Sequence, residues 1–262
     1  MSDPFQNNPD LVACAKIVER GDPDRFAAVM AAPVAARVVL FPIYAMNVEI
    51  SRAPWVTQED MIAEMRLQWW RDALAEIASG GFVRRHEVVT PLAMVLDAEG
   101  AKALDELVLA RRWDIYRDAF EDQAAFDAYI ANTSGLLMEQ AARALGDQDG
   151  RAARALGWAT GLANFLRAVP DLEAAKRVPL VDGRPEAVQA LAQRGLEALA
   201  EARSMRGAVS TQASPALWAG WMTGPVLKRA KHQPVLVATG ELLPSEAKQR
   251  ARKAWVQLTG RW

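Results

Sequence analysis

The sequence has little of the residues that most often bind metals or form covalent cross-links. Its 262 residues include one cysteine, Cys14, and two histidines, His86 and His232. A single cysteine excludes a disulfide framework within the chain and fits a reducing compartment, so we expect Cys14 to be a small core residue. The histidines are far apart and have no acid or cysteine neighbours at metal-ligand spacing, so they indicate no zinc site.

Long uninterrupted hydrophobic runs are also lacking. The most apolar stretch, Phe26 to Ile50, contains Pro33, Arg37 and Pro42 and does not have the composition of a membrane span. The segment Ser2 to Asp10 is polar and does not resemble a signal peptide. We therefore expect a cytoplasmic protein, with a peripheral position at the membrane as the alternative.

Negatively charged residues are scarce only near the C-terminus. The whole chain has a net charge of −1, which gives no excess of positive charge for binding nucleic acid. From residue 203 onward, however, there are ten basic residues and two acids. The basic residues are Arg203, Arg206, Lys228, Arg229, Lys231, Lys248, Arg250, Arg252, Lys253 and Arg261, and the acids are Glu241 and Glu246. This bias predicts either a solvated helical face or a docking face for an acidic partner or an anionic membrane. Trp218 and Trp221 could contact such a membrane, although packing in the core is the favoured prediction for both.

Helical periodicity is what the sequence has in abundance. Hydrophobic residues make up 51% of the chain, with alanine and leucine dominant, which favours helices over strands. The predicted helices are Leu11–Glu19, Arg25–Ala32, 33–52, 57–79, Pro91–Asp97, Lys102–Tyr116, Gln123–Leu145, Gly150–Val169, Pro185–Val209, Pro215–Lys231 and Pro244–Gly260. Only Val235–Thr239 is a candidate strand. We expect one all-α domain over residues 1–262.

Individual residues are predicted to shape these helices. Asp24 is expected to cap the second helix, and Pro42 to kink the third. Pro170 is expected to end the helix that starts at Gly150, leaving Asp171 as a cap. The spacing of Gly157 and Gly161 predicts close packing of this helix against a neighbour in a helical bundle. The buried stripe of the fourth helix is expected to contain Met61, Met65, Trp69 and Leu74.

Several ordered segments resemble the squalene/phytoene synthase family. Residues 65–74, Met-Arg-Leu-Gln-Trp-Trp-Arg-Asp-Ala-Leu, are similar to its R-x-x-W-W-R segment. Residues 41–46 are similar to its L-Y-A-F helix, and residues 114–135 to a stretch in which Tyr129 and Gly135 match. Residues 157–167 and 178–180 also match in order, so the resemblance covers about residues 30–180.

This resemblance implies an all-α, isoprenoid-synthase-type bundle around a central cavity. In the active enzymes two facing helices each carry acids at i and i+4, which lie on one helix face. These carboxylates hold Mg²⁺ ions against the diphosphates of two prenyl substrates. By the same resemblance the candidate cavity-lining residues are Tyr44, Glu49, Arg52, Arg66, Trp69, Trp70, Tyr129, Asn164 and Arg167.

The chain departs from the family at the metal-binding positions themselves. Ser51 and Trp55 occupy the two acid positions of the first motif. Ala168 and Leu172 occupy acid positions of the second motif, where only Asp171 offers a carboxylate. A hydroxyl, an indole and aliphatic groups cannot replace carboxylates for a hard divalent cation, so no metal and no cofactor is expected.

In these losses the chain resembles a non-catalytic branch of the family. The members of that branch assist assembly of respiratory NADH dehydrogenase. The resemblance rests on residues 45–50, Arg66 to Trp70 and residues 166–170. It implies a pseudoenzyme that binds a protein partner or holds an isoprenoid-like ligand.

Two alternatives remain at this stage. One is an active Mg²⁺-dependent prenyl transferase acting on farnesyl or geranylgeranyl diphosphate. In that case Glu49 and Asp171 would have to converge, with Asp60 or Asp72 as a further candidate acid. The other is a helical scaffold whose centre is filled by Trp55, Trp69 and methionines.

Overall fold

The computed structural model describes residues 4–262, so the first two residues of the polar segment that starts at Ser2 lie outside it. The described residues form helices and no strand, which confirms the all-α prediction. The helices are α1 Pro9–Gly21, α2 Pro23–Ala31, α3 Val34–Arg52, α4 Asp60–Ser79, α5 Val89–Leu92, α6 Ala98–Ala110, α7 Gln123–Ile130, α8 Leu136–Ala144, α9 Arg151–Ala174, α10 Pro185–Ser204, α11 Ser214–Leu217, α12 Thr223–His232, α13 Val235–Thr239 and α14 Glu246–Thr259.

These helices belong to two compact units that alternate along the chain. Unit 1 comprises the residues up to Tyr116 together with Gln140–Gln148 and Ser210–Ala219. Unit 2 comprises Arg117–Glu139, Asp149–Val209 and Gly220–Trp262. The single domain over residues 1–262 and its central cavity stay predictions.

Helix α3 contributes many residues to the core of unit 1. It runs through Pro42 without ending, and α1 packs along it. Within residues 4–262 it alone is long and apolar enough to cross a membrane by length and composition, yet 61% of its apolar window is buried inside the protein. That degree of burial is typical of a core helix. Before it, Asp22 rather than Asp24 caps α2, because its carboxylate accepts the Arg25 N–H at 3.0 Å.

Helix α4 buries a different face from the one predicted. Its buried side chains are Ala63, Leu67, Trp70, Ala73, Leu74 and Ile77, whereas Met61 and Met65 are exposed. The predicted stripe and the observed buried stripe both have helical spacing, so periodicity does not distinguish them. In the first turn of α4, Met61 makes no buried contact. These two methionines therefore do not fill the core, whereas the predicted burial of Leu74 is confirmed and Met46 of α3 is fully buried.

In unit 2, α9 is the central helix, and α10, α12 and α13 pack against it. The prediction that Pro170 ends this helix is wrong, because α9 continues to Ala174. Val169 and Leu172, on either side of the proline, are buried, and this packing outweighs the backbone hydrogen bond that Pro170 cannot make.

The candidate strand Val235–Thr239 is also a wrong prediction, because it forms the helix α13. Pro234 precedes it, and Gly240 ends it in the left-handed conformation with φ of 73°. Only Val237 is buried, and the segment packs against α9. β-Branched residues form a strand only where a partner strand is present, and residues 4–262 contain none.

The predicted close packing at Gly157 and Gly161 is confirmed. Between α7 and α8 the chain makes a π-helical turn, Ala131–Gly135, which packs directly on α9. A β-carbon at residue 157 would lie 2.7 Å from the Ser134 carbonyl oxygen, and one at residue 161 would lie 2.5 Å from Ser134 Cβ. Only glycine leaves room for this approach of two backbones.

Candidate functional site

The positions of the first motif lie at the end of α3 in unit 1. Ser51 is half-buried, and its hydroxyl donates a hydrogen bond to the Val48 carbonyl at 3.0 Å. Trp55 lies beyond the helix, in a turn where its N–H bonds to the Arg52 carbonyl at 2.9 Å. The two positions therefore do not share a helix face.

Packing explains why α3 ends before residue 55. Pro42 lies between Phe41 and Ile43, both fully buried, so the helix is supported on each side of that proline. Pro54, in contrast, is followed by Trp55 and Val56, which are exposed. A further helical turn through Pro54 would lose a backbone hydrogen bond and bring the proline ring into a clash. Because Trp55 and Val56 are exposed, burial of apolar side chains would not offset that cost.

The positions of the second motif lie on α9 in unit 2. Ala168 is half-buried and Leu172 is buried, and both are apolar. Asp171 is an exposed residue inside the helix, so it does not cap a following segment. One turn before Ala168, Asn164 is exposed, and its side-chain oxygen accepts a hydrogen bond from Arg167 Nη1 at 3.3 Å.

The donor groups at these positions do not fit a magnesium cluster. Mg²⁺ requires oxygen ligands, mostly carboxylates, and Ser51 and Asp171 are the only oxygen-bearing side chains among the five motif positions. Three further acids are candidate ligands from the sequence. Asp60 is exposed at the start of α4, and Asp72 accepts a hydrogen bond from Gln68 at 2.7 Å. Glu49 is half-buried on α3. Over residues 4–262, no three His, Cys, Asp or Glu residues group so that they could hold a metal ion.

Among the predicted cavity-lining residues of unit 1, Tyr44 is the most buried. Its hydroxyl donates a hydrogen bond to the Ala216 carbonyl at 3.3 Å, and the Arg25 guanidinium lies 5.5 Å from its ring centroid. Burial raises the pKa of the Tyr44 hydroxyl to about 12, so it stays protonated at neutral pH. Tyr44 is therefore a packed, hydrogen-bonded residue of the core.

The adjacent tryptophans of the family segment form an aromatic cluster with a histidine. The Trp69 and Trp70 ring centroids are 5.1 Å apart and nearly perpendicular, and the His86 ring lies 5.0 Å from Trp69. Such edge-to-face pairs add stability beyond their burial. Trp70 faces the core, Trp69 is half-buried, and Arg66 and Arg52 are exposed.

Arg84 lies over the Trp69 ring of this cluster, a contact that no sequence pattern predicts. Its guanidinium carbon lies 4.9 Å from the Trp69 ring centroid, and its side chain pairs with Glu76 at 2.7 Å. Hydrogen bonds from the Arg84 side chain, and a further one from the Arg84 backbone N–H, hold the pKa of the half-buried Glu76 carboxyl below its usual range. The two residues are eight apart and separated by Gly80-Gly81, a spacing that carries no periodic signal.

In unit 2, Tyr129 belongs to a second aromatic cluster. Its ring lies 5.5 Å from that of Phe120 and 6.0 Å from that of Phe165. Phe126 completes the group at 5.1 Å from Phe165. Three of these rings come from the segment 120–129 and one from α9, so the cluster holds α7 against α9.

The squalene/phytoene synthase family model matches residues 18–181, which is more than half of the chain. The chain belongs to this family, as its sequence segments predicted.

Similar proteins come from animals. The chain is 29% identical over 167 residues to the NADH dehydrogenase (ubiquinone) complex I assembly factor 6 homolog of Drosophila melanogaster, covering 60% of this chain and 50% of that protein. It is 25% identical over 180 residues to NADH dehydrogenase (ubiquinone) complex I assembly factor 6 of Bos taurus, covering 63% and 51%. The matches thus span about half the length of these curated relatives.

The fold has a solved counterpart. A crystal structure of a dehydrosqualene synthase in complex with a ligand superimposes with a TM-score of 0.76, covering 98% of each chain at 16% sequence identity. At this identity the likeness shows the fold alone, which is the isoprenoid-synthase helical bundle that the sequence predicted.

Proposed function

We propose that this chain is a non-catalytic member of its family that acts by binding a protein partner, in a role of the complex I assembly type. The observation that carries the proposal is the chemistry of four positions, Ser51, Trp55, Ala168 and Leu172, which replace the acids that the family uses to bind Mg²⁺. The similarity to proteins named as complex I assembly factors supports the second half of the proposal.

Loss of the metal removes the reaction for a simple reason. Ionisation of an allylic diphosphate develops negative charge on the leaving group, and the active enzymes neutralise it with metal ions. In this chain the remaining second-motif carboxylate, Asp171, is exposed on α9, and the first motif retains only a serine hydroxyl, which bonds to its own helix. Neither group supplies the charge that the leaving group requires.

Turnover is the direct test of this proposal. Purified protein is incubated with farnesyl or geranylgeranyl diphosphate and Mg²⁺, and the extract is analysed for condensed C30 and C40 products. We expect no product above a protein-free control, while a catalytically active family member run in parallel forms product. A condensed product that disappears with EDTA, or with Asp171→Asn, would instead establish an active transferase.

The partner-binding role needs its own experiment. Deletion of the gene in the source organism is expected to lower the amount of assembled respiratory NADH dehydrogenase on native gels. We expect the wild-type chain and Asp171→Asn to restore it equally, since no carboxylate chemistry is needed. Unchanged assembly in the deletion strain would refute the assembly role and leave the absence of turnover standing.

A protein that holds an isoprenoid ligand without turnover would be distinguished from a partner-binding protein by its melting temperature in the presence of that ligand. Farnesyl diphosphate without Mg²⁺ would then raise the melting temperature, because a ligand that binds only the folded state stabilises it. The partner-binding proposal predicts no such rise.

A further inference from the structure

Helix α14 presents a face to solvent that the fold does not use. The helix is held on unit 2 by its other side, where Val256 is buried and Arg252 Nε donates to the Trp221 carbonyl at 3.2 Å. Trp262, just beyond the helix, is buried, and its carbonyl accepts hydrogen bonds from Arg203 and Arg206. These contacts fix which side of α14 points outward.

The outward side carries an apolar stripe. At 100° per residue, Ala247, Ala251, Ala254 and Leu258 lie in one line, with Trp255 beside it, and all five are exposed. The two large side chains are both open to solvent, since Trp255 is 49% and Leu258 is 86% exposed. Neither contributes to the core of unit 2, so the fold alone gives no reason for their presence.

Positive charge lies on both sides of the stripe. Lys248 lies on one edge and Arg250 on the other, and both are exposed. Arg252 and Lys253 bring the helix to four basic residues, against the single acid Glu246, which pairs with Arg250 at 3.0 Å. Outside α14, residues 203–262 add six further basic residues against one acid, Glu241, so the basic bias continues along this part of the chain.

We infer that α14 is a docking surface for an anionic lipid bilayer, with Trp255 and Leu258 entering the interface and Lys248 and Arg250 contacting lipid phosphates. A helix with tryptophan and leucine on one face and basic residues at its flanks is the pattern of interfacial helices. Tryptophan favours the interface because its ring is apolar and its N–H is polar.

Two other occupants fit this face less well. A second copy of the chain would place like charges against each other, because Lys248 and Arg250 flank the stripe in both copies. A stable protein interface needs roughly 600–1,000 Å² from each partner, and this stripe offers two large side chains and three alanines. A bilayer accepts shallow insertion of few side chains when electrostatic attraction adds to it.

The sequence pointed to other tryptophans for this role. Trp221 is buried, and Trp218 is half-buried with its indole N–H donating to the Ser214 hydroxyl at 3.2 Å. The basic bias of the region was visible in the sequence, whereas the exposed tryptophan within it could be found only from the structure.

Vesicle co-sedimentation tests the inference on the full chain. We expect binding to vesicles of equal parts phosphatidylcholine and phosphatidylglycerol, little binding to phosphatidylcholine alone, and release by high salt. The double variant Trp255→Ser/Leu258→Ser is expected to bind at least about tenfold more weakly, because the inserted apolar area is lost. Lys248→Glu is expected to weaken binding by a similar factor of about ten.

Matched variants in unit 1 serve as controls. Met61→Ser/Met65→Ser removes an equally exposed apolar pair from α4, and Lys102→Glu makes the same charge change on α6. Both are expected to bind as the wild type does. Equal loss in the control and α14 variants, or wild-type binding that ignores lipid charge, would overturn the inference.

A labelled variant gives a readout that does not depend on loss of binding. Cys14 is fully buried, and burial raises the pKa of its thiol to about 12, so it is inert to alkylation at neutral pH. Leu258→Cys can therefore be labelled selectively with an environment-sensitive fluorophore, with Lys102→Cys as its control. We expect a blue shift on anionic vesicles only for the label at 258. A blue shift that appears instead on raising the protein concentration without lipid would assign the face to self-association.

Discussion

Trp55 and Trp70 show how differently two tryptophans of one unit contribute to the protein. Trp55 is 51% exposed in the turn after α3, at a position where the family has a metal-binding acid. Trp70 is 5% exposed and packs edge-on against Trp69. The indole at residue 55 therefore does not fill the core, which removes the main support for a solid scaffold centred on it.

Replacing each tryptophan by alanine tests this difference. Trp70→Ala is expected to lower the free energy of unfolding by about 3–5 kcal/mol, since it leaves a cavity in a packed region. Trp55→Ala is expected to cost about 1–2 kcal/mol, because much of its surface is already in water. Urea unfolding of both variants checks the prediction, and an equal loss at the two positions would contradict it.

Among the helices, α9 depends on close contact with the π turn Ala131–Gly135. The backbones meet at Gly157, where an added β-carbon would lie 2.7 Å from the Ser134 carbonyl oxygen and 2.9 Å from Gly135 Cα. Both neighbours are backbone atoms and cannot rotate away as a side chain could.

Gly157→Ala is therefore expected to destabilise the protein by about 1–3 kcal/mol, although alanine favours a helix by up to about 1 kcal/mol over glycine. Gly183→Ala is the matched control, because no heavy atom lies within 4 Å of its added β-carbon. Chemical denaturation measures both. A stability gain in Gly157→Ala would show that the two backbones separate readily.

The helices were largely predictable from the sequence, and their ends and faces were less so. The interior of α3 and the glycine contact of α9 followed from periodicity and spacing. The continuation of α9 past Pro170 and the helical form of Val235–Thr239 did not, because buried neighbours decided against local propensity. The exposed side of α14 also depends on which side the rest of unit 2 covers.

For the candidate site the sequence predicted a chemistry and left the geometry open. Residues 51, 55, 168 and 172 carry no carboxylate, and their assignment to the metal-binding positions of the family stays a prediction. That Trp55 lies outside α3, and that Asp171 lies inside α9, required the backbone.

For the whole molecule, the side chains at the motif positions predict that Mg²⁺ does not change the stability of the folded state. A site with a Kd a hundredth of the Mg²⁺ concentration would add about 2.7 kcal/mol to the stability of the folded state. We expect calorimetric melting temperatures that agree in Mg²⁺ and in EDTA, since the described residues contain no group of three metal-binding side chains. A melting temperature that rises with Mg²⁺ and returns with EDTA would reveal a site elsewhere.

The early end of α3 determines what a pair of facing carboxylates at the first motif would require. Writing aspartate at residues 51 and 55 would place one carboxylate on a helix and the other on an exposed turn, pointing in unrelated directions. Pro54 would first have to be replaced, and the next turn given apolar side chains to bury, before a second acid could face the first. A pair of facing acids at this motif thus depends on the course of the main chain, and exchanging the side chains at residues 51 and 55 alone does not create it.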